Sequence, residues 1–306
     1  MACKSVDIII PTYKPDDKFG RLIRALIKQT YPVQNIYIIN TKGGKFPWEL
    51  AALDGRIKVS QITSREFNHG GTRRKAVEAS GSEFFICMTQ DAVPVDEHLV
   101  EKLMSAFDDG DVACAYARQL PEPDCNTIER YTRKFNYPDA SFKKDMHSVE
   151  TMGIKAYFCS DVCAAYRRKV YNRAGGFEER VIFNEDMIMA ARMIKAGYKC
   201  AYVAEAKVIH SHNYGCKEQF KRNFDMGVSQ AQCPEIFKEV PPEGEGLRLV
   251  RKTAAYLIHS RKPWLLFSLF FQSASKLAGY KLGVNYRKLP QGIVRFCTAT
   301  PKYWEV

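Results

Sequence analysis

Between Val6 and Tyr116 short apolar runs alternate with segments of helical period, and this alternation constrains the fold more than any other feature. Val6-Asp7-Ile8-Ile9-Ile10 has the unbroken apolarity of a strand covered on both faces, and Pro11-Thr12-Tyr13 closes it. A helix follows from about Asp16 to Thr30, with Leu22, Ile23, Leu26 and Ile27 on one face. Strands are expected at Asn35–Ile39, more weakly at Arg56–Ser60, then at Phe84–Met88 and Val112–Tyr116. Helices fall between them, one opening at Gly70-Gly71 and one at Asp96. This rhythm specifies an α/β fold with a mostly parallel, doubly wound sheet flanked by helices.

At Arg118 the rhythm breaks. Residues 118–158 are polar and aromatic, hold Pro121, Pro123 and Pro138, and show no clear period, as binding loops often do. Cys159 to Tyr166 then reads as a strand, Asn184 to Ala196 as a helix stopped by Gly197, and Cys200–Val203 and Lys207–Ile209 as two short strands. The Pro241–Gly246 run is an expected hinge into a helical tail. The expected organisation is a catalytic domain over 1–240, halved near 117, and an appendage over 241–306.

Charge is unevenly spread along the 306 residues. Residues 247–306 hold eleven Lys or Arg against one acid, Glu305, so +10 of the net +12 lies there. A near-neutral body with a basic tail suits an anionic partner surface, nucleic acid or phospholipid. No recognised nucleic-acid motif is present, and the basic tail is also apolar, which favours the lipid. Within it, Trp264-Leu265-Leu266-Phe267-Ser268-Leu269-Phe270-Phe271 is too short to cross a bilayer, with Arg261 and Lys262 before it and Lys276, Lys281, Arg287 and Lys288 after. A helix packed on the catalytic domain is the alternative reading. No signal-like segment follows Met1, and the ten cysteines are scattered, several in apolar runs such as Phe85-Ile86-Cys87, as reduced thiols would be. The expectation is a cytoplasmic protein held peripherally on the inner face of the cell membrane.

Four segments put polar groups where strands or helices end, where open α/β sheets bind ligands. Pro11-Thr12-Tyr13 offers a hydroxyl and a ring to a nucleoside, or is a plain turn. Phe67-Asn68-His69-Gly70-Gly71-Thr72-Arg73-Arg74 offers backbone N–H groups and two guanidiniums to a diphosphate, or is a glycine-rich helix start. Thr89-Gln90-Asp91-Ala92 sets a carboxylate where it can hold Mg²⁺ or Mn²⁺ against phosphate oxygens, or caps a turn. Asn184-Glu185-Asp186 opens a helix whose dipole favours acids and would keep a general base ionised. Cys159, Cys163, His212 and Cys216 form two pairs four apart, but the spacings are not those of common zinc motifs, and alternation explains the first pair as core.

In their order and spacing these segments, with Val208-Ile209-His210-Ser211-His212-Asn213-Tyr214, resemble the family-2 inverting glycosyltransferases of GT-A (Rossmann-like) fold. Within that family they are most similar to the bacterial rhamnosyltransferases of surface-polysaccharide synthesis. The resemblance implies that Pro11, Thr12, Tyr13, Asn40, His69, Gly70, Arg73, Gln90 and Asp91 hold the nucleotide sugar. It implies that Asp186, next to Glu185, is the catalytic base, and that a divalent metal sits on Asp91 with His210 or His212. The implied donor is dTDP-L-rhamnose, with UDP-sugars as rivals, and the implied acceptor a growing, lipid-linked glycan. A non-catalytic nucleotide- or glycan-binding protein of the same fold is the other reading.

This chain departs from the family pattern in places. Thr89 stands at the first Asp of the Asp-x-Asp metal motif, Asn40 where many relatives have an acid, and Arg74 where Asn is common. Gln219-Phe220-Lys221-Arg222-Asn223 echoes the Gln-x-x-Arg-Trp of processive synthases but lacks its Trp, which argues for adding one or a few sugars.

Overall fold

A computed structural model of the chain describes residues 4–238, 240 and 243–305. It groups into two compact units: Met1–Leu120, Tyr137–Arg180 and Glu185–His210 in the first, and Pro121–Asn136, Val181–Asn184 and Ser211–Val306 in the second. Residues 211–240, read above with the catalytic part, group here with the tail.

The first unit is built on one sheet of nine strands: β1 (Val6–Tyr13), β2 (Val33–Thr41), β3 (Ile57–Ile62), β4 (Phe84–Met88), β5 (Val93–Pro94), β6 (Val112–Leu120), β7 (Phe142–Lys144), β8 (Cys163–Arg167) and β9 (Lys199–Ile209). The order is β3-β2-β1-β4-β8-β6-β9-β5, with β7 also on β9. The parallel half expected from the alternation is β3-β2-β1-β4. Strand β8 enters antiparallel between β4 and β6, and β6 and β9 are parallel again. Val6, Ile8, Ile9 and Ile10 are fully buried, which is why β1 has no polar face. Its Asp7 is buried too, and its carboxylate accepts from the Asn35 main chain at 2.9 Å and from the Ser80 hydroxyl. Before β2, the helix Asp17–Ile27 is capped by Asp16 and turns Phe19, Leu22, Ile23 and Leu26 into the core.

Two expectations change. The two short strands near 200 and 207 are one strand, β9, whose pairing with β6 jumps from Ala117↔Val203 to Arg118↔Lys207. Residues 204–206 form the excursion between them, a bulge that interrupts the apolar pattern. The 118–158 stretch is not loop throughout: it holds the helices Thr127–Asn136 and Met146–Met152 as well as β7. Both helices are short, and Met146–Met152 buries no residue, so no apolar period announced it. Asp145 and Ser148 close a capping box that starts it.

The second unit is helical, with the main helices Cys216–Gln232, Glu243–His259, Leu265–Val284 and Gln291–Cys297. Pro241 and Pro242 of the expected hinge lie outside the described residues. Phe224 and Val228 pack with Ile182, Val294 and Cys297 in one cluster, and Ile128, Leu257 and Leu269 form another. Helices Cys216–Gln232 and Leu265–Val284 meet backbone to backbone through glycine. A Cβ on Gly279 would strike the Phe220 carbonyl oxygen, and one on Gly283 the Phe224 carbonyl oxygen. Gly279→Ala therefore forces two main chains apart and should cost about 1–3 kcal/mol of stability, the usual range for overpacking. Urea unfolding measures it, and an unchanged midpoint would refute the close-approach reading.

Candidate active site

The ends of β1 and β2 are joined by side chains. Thr12 and Asn40 are register partners, and the Thr12 hydroxyl donates to Asn40 Oδ1 at 3.1 Å, both side chains buried. Pro11 precedes them within β1. The next residue, Tyr13, is 45 % exposed and its ring is open to a stacking partner. Its main chain is gripped by Gln90, whose amide oxygen accepts from Tyr13 N–H at 2.8 Å and whose amide nitrogen donates to Tyr13 O at 3.0 Å. Gln90 thus acts as a strand-end clamp.

The helix His69–Ala79 starts differently from the open anion cradle that its glycines suggested. Asn68 caps it, taking the Gly71 N–H at 2.6 Å, and both Gly70 and Gly71 are buried. A Cβ on Gly71 would strike the Glu179 carbonyl oxygen, so this glycine serves close packing. Arg74 ties the helix to the Gly175 and Phe177 carbonyls at 3.3 and 3.2 Å. Arg73 is only 4 % exposed and faces inward, its Nη1 2.9 Å from Glu185 and its Nε 3.2 Å from Asp161. The guanidinium that the resemblance assigned to the donor is engaged by two carboxylates. His69 Nδ1 stands 3.7 Å from Glu185 as well.

Asp186 completes a group of three acids. Asp161 N–H donates to one Asp186 oxygen at 2.9 Å and Met187 N–H to the other at 2.7 Å. Burial, reinforced by the charges of Glu185 and Asp161, pushes Asp186 well above the usual carboxylate range. The helix dipole, which would lower it, is outweighed. Asp161 is raised by burial also, opposed by Arg73 and by the Tyr166 hydroxyl that donates to it at 2.7 Å. Asp186 itself stays partly exposed, as a group that meets a substrate must.

The second polar group stands on the ends of β4, β6 and β9. Asp91 Oδ2 is 3.6 Å from His210 Nε2. On the far side of the ring, His210 Nδ1 meets Gln119 Oε1 at 3.0 Å, while Gln119 Nε2 donates to Ser160 Oγ at 2.9 Å. With the amide oxygen facing the ring, Nδ1 carries the proton and Nε2 can offer a lone pair to a cation beside Asp91. A carboxylate and a lone-pair imidazole nitrogen are a donor pair for a divalent cation. His212 belongs to the second unit, where its ring stacks on Tyr214 at 4.8 Å.

Residues 7–175 match the family model "Glycosyl transferase family 2". Over 303 residues the chain is 38 % identical to the O-antigen chain rhamnosyltransferase WbaN of Salmonella anatum, covering 98 % of this chain and 96 % of that one. The chain belongs to glycosyl transferase family 2. A second relative, the O-antigen chain rhamnosyltransferase RfbN of Salmonella typhimurium, is 38 % identical over 301 residues, with the same coverage. Among solved structures, the mannosyltransferase PcManGT from Pyrobaculum calidifontis, in complex with GDP-Man and Mn²⁺, superposes with a TM-score of 0.57 at 15 % identity, over 99 % of this chain and 85 % of that one. S. aureus TarS 1-349 in complex with UDP gives 0.55 at 13 %, over 93 % and 91 %. These two structures share the GT-A fold with this glycosyltransferase.

Two residues that the sequence reading passed over organise this family 2 site. Asp161 lay inside what read as a strand, but β8 begins only at Cys163, and the residues before it turn their main chain to Asp186. Gln119 fell in the irregular 118–158 stretch, beyond the strand expected to end at Tyr116, whereas β6 runs on to Leu120. Arg73→Ala would leave Asp161 and Glu185 buried without their cation, and should destabilise the enzyme by about 3–5 kcal/mol near neutral pH. The deficit should shrink as pH falls, because the stranded Asp161, already raised in pKa by burial, takes up a proton and sheds its charge. Urea unfolding of both proteins at several pH values measures this, and a deficit independent of pH would refute it.

Proposed function

We propose that this glycosyltransferase moves L-rhamnose from dTDP-L-rhamnose onto a glycan acceptor of a bacterial surface polysaccharide, inverting the anomeric carbon. The observation that carries the sugar assignment is the 38 % identity, over nearly the full length, to O-antigen chain rhamnosyltransferases. In this reading Thr12, Asn40 and Tyr13 hold the nucleoside, Tyr13 by its open ring. Asp186 accepts the proton of the acceptor hydroxyl as that oxygen attacks, and the diphosphate leaves from the opposite face. The raised proton affinity of Asp186 makes it a better proton acceptor than an ordinary carboxylate. Glu185 and Asp161, bound to Arg73, keep the base in place.

A divalent cation, Mg²⁺ or Mn²⁺, fits the Asp91–His210 pair, and His212, two residues further along the chain, is a further candidate ligand. When bound, it would neutralise charge on the departing diphosphate. The test is a panel of dTDP- and UDP-sugars with a glycan acceptor, read by release of free nucleoside diphosphate. dTDP-L-rhamnose should give the highest turnover, excess chelator should abolish it, and Asp186→Asn should lower it by about 10²–10⁴-fold while donor binding persists. A preference for UDP-glucose, UDP-galactose or UDP-N-acetylglucosamine would overturn the rhamnose assignment, and full turnover of Asp186→Asn the choice of base.

We further propose that the enzyme works on the inner face of the cell membrane, where a lipid-linked acceptor lies within reach. Among the described residues no helix is long and apolar enough to cross a membrane. Yet Trp264, Phe267, Phe270 and Phe271 are 64, 75, 66 and 57 % exposed, beside Arg261 and Lys262. Exposed rings with neighbouring cations suit an anionic lipid surface, where each Lys or Arg contributes about 1 kcal/mol. Co-sedimentation with vesicles should rise with anionic lipid content and weaken with salt. Replacing Phe267 and Phe270 by Ser should diminish it, and equal recovery with neutral vesicles would refute the proposal.

A further inference from the structure

Away from the carboxylates, one row of the sheet gathers three sulfurs. Cys114 on β6 pairs in register with Cys200 on β9, and Cys200 pairs in turn with Lys144 on β7. On the other side Cys114 pairs with Tyr166 on β8. Register partners share a face, so Tyr166, Cys114, Cys200 and Lys144 stand side by side on it. Cys159, from the segment before β8, comes down on the same face with its sulfur 3.7 Å from the Tyr166 hydroxyl. The sulfurs of Cys114, Cys159 and Cys200 all lie within 4.8 Å of one another, and all three residues are buried.

Lys144 makes this more than a patch of core thiols. It is 1 % exposed, and its ammonium donates to the Tyr116 hydroxyl at 3.2 Å and to the carbonyl oxygens of Lys155 and Phe158. The Tyr116 ring lies 4.7 Å away and the Phe158 ring 5.8 Å. Every one of these partners is neutral, and among the described residues no carboxylate pairs with it. A buried ammonium calls for a nearby negative charge, and the thiols are the groups at hand that can supply one. A single thiolate would balance the ammonium; with all three cysteines as thiolate ligands, a divalent cation restores the balance. Three thiolates, one divalent cation and one ammonium sum to zero.

We propose that Cys114, Cys159 and Cys200 bind a thiophilic divalent cation of the zinc class, with Lys144 as the fixed countercharge beside it. Sulfur donors select such ions over the harder Mg²⁺ and Mn²⁺, so this site and the Asp91–His210 pair take different metals. The Cys200 sulfur also lies 4.0 Å from the main-chain oxygen of Phe158. Because the site is closed to solvent, the ion enters as the chain folds and leaves only when it unfolds. It ties β6 and β9 to the segment that carries Asp161.

The metal content of the native full-length protein, dialysed against chelator and measured by elemental mass spectrometry, tests the proposal. One zinc per chain should survive dialysis and be released when the protein is unfolded in denaturant with an organomercurial present. Cys200→Ser and Cys114→Ala should lose it, while Asp91→Asn and Cys216→Ser, which leave the three thiols intact, should keep it. Should the first two variants fail to fold, the native protein still decides. Refolded with cadmium alone, it should show the ultraviolet charge-transfer band of thiolate coordination. Substoichiometric zinc together with no such band would overturn the proposal, as would full zinc retention in folded Cys200→Ser.

Discussion

Three carboxylates, those of Asp161, Glu185 and Asp186, converge where like charges repel and water is scarce, and Arg73 lets them do so. Its guanidinium bonds two of them, and the third is held through the main chain of Asp161. Remove that cation and either the acids protonate or the segment before β8 moves away. The His69–Ala79 helix, its Asn68 cap and the side-chain-free surface of Gly71 are, in this light, the means of delivering one charge to one point. A cluster built this way holds a carboxylate whose proton affinity is raised but whose position is fixed. Those are the two properties a general base needs, and they come from separate neighbours.

The parts legible in the sequence were those where residue type and local context agree. Unbroken apolar runs gave the parallel strands, and Asp91, His210 and the Glu185-Asp186 pair stand out as polar groups at the ends of such runs. What escaped was created by distance. Asp161 and Gln119 act through residues 25 and 91 positions away, and nothing in their own surroundings marks them. The burial of Arg73 was hidden for a related reason. In sequence it adjoins Arg74, which is half-buried and bonds the Gly175 and Phe177 carbonyls, and only the tertiary structure separates the roles of the two. Likewise Cys114, Cys200 and Lys144 share a row because of strand order, and strand order is not a property of any one segment.

Gln90, the middle residue of Thr89-Gln90-Asp91, has a use of its own beside the carboxylate. The amide links to the Tyr13 main chain twice, once as acceptor and once as donor, as a neighbouring strand would. A carboxylate there could only accept, and would leave the Tyr13 carbonyl without this donor. The loop that bears Asp91 is thereby fastened to the end of β1, next to the exposed ring of Tyr13.

The excursion at residues 204–206 governs where β9 ends. Because pairing resumes at Arg118↔Lys207, Val208 comes opposite Gln119, and His210 stands diagonal to Gln119 on the same face. A straight strand would reach the same depth in the sheet three residues earlier and carry His210 past it. The coordinate of the imidazole is thus written in the length of a segment that contains no ligand. A homologous chain could retain Asp91, Gln119 and His210, gain or lose a residue between Val203 and Lys207, and be left with every motif letter intact and no donor pair.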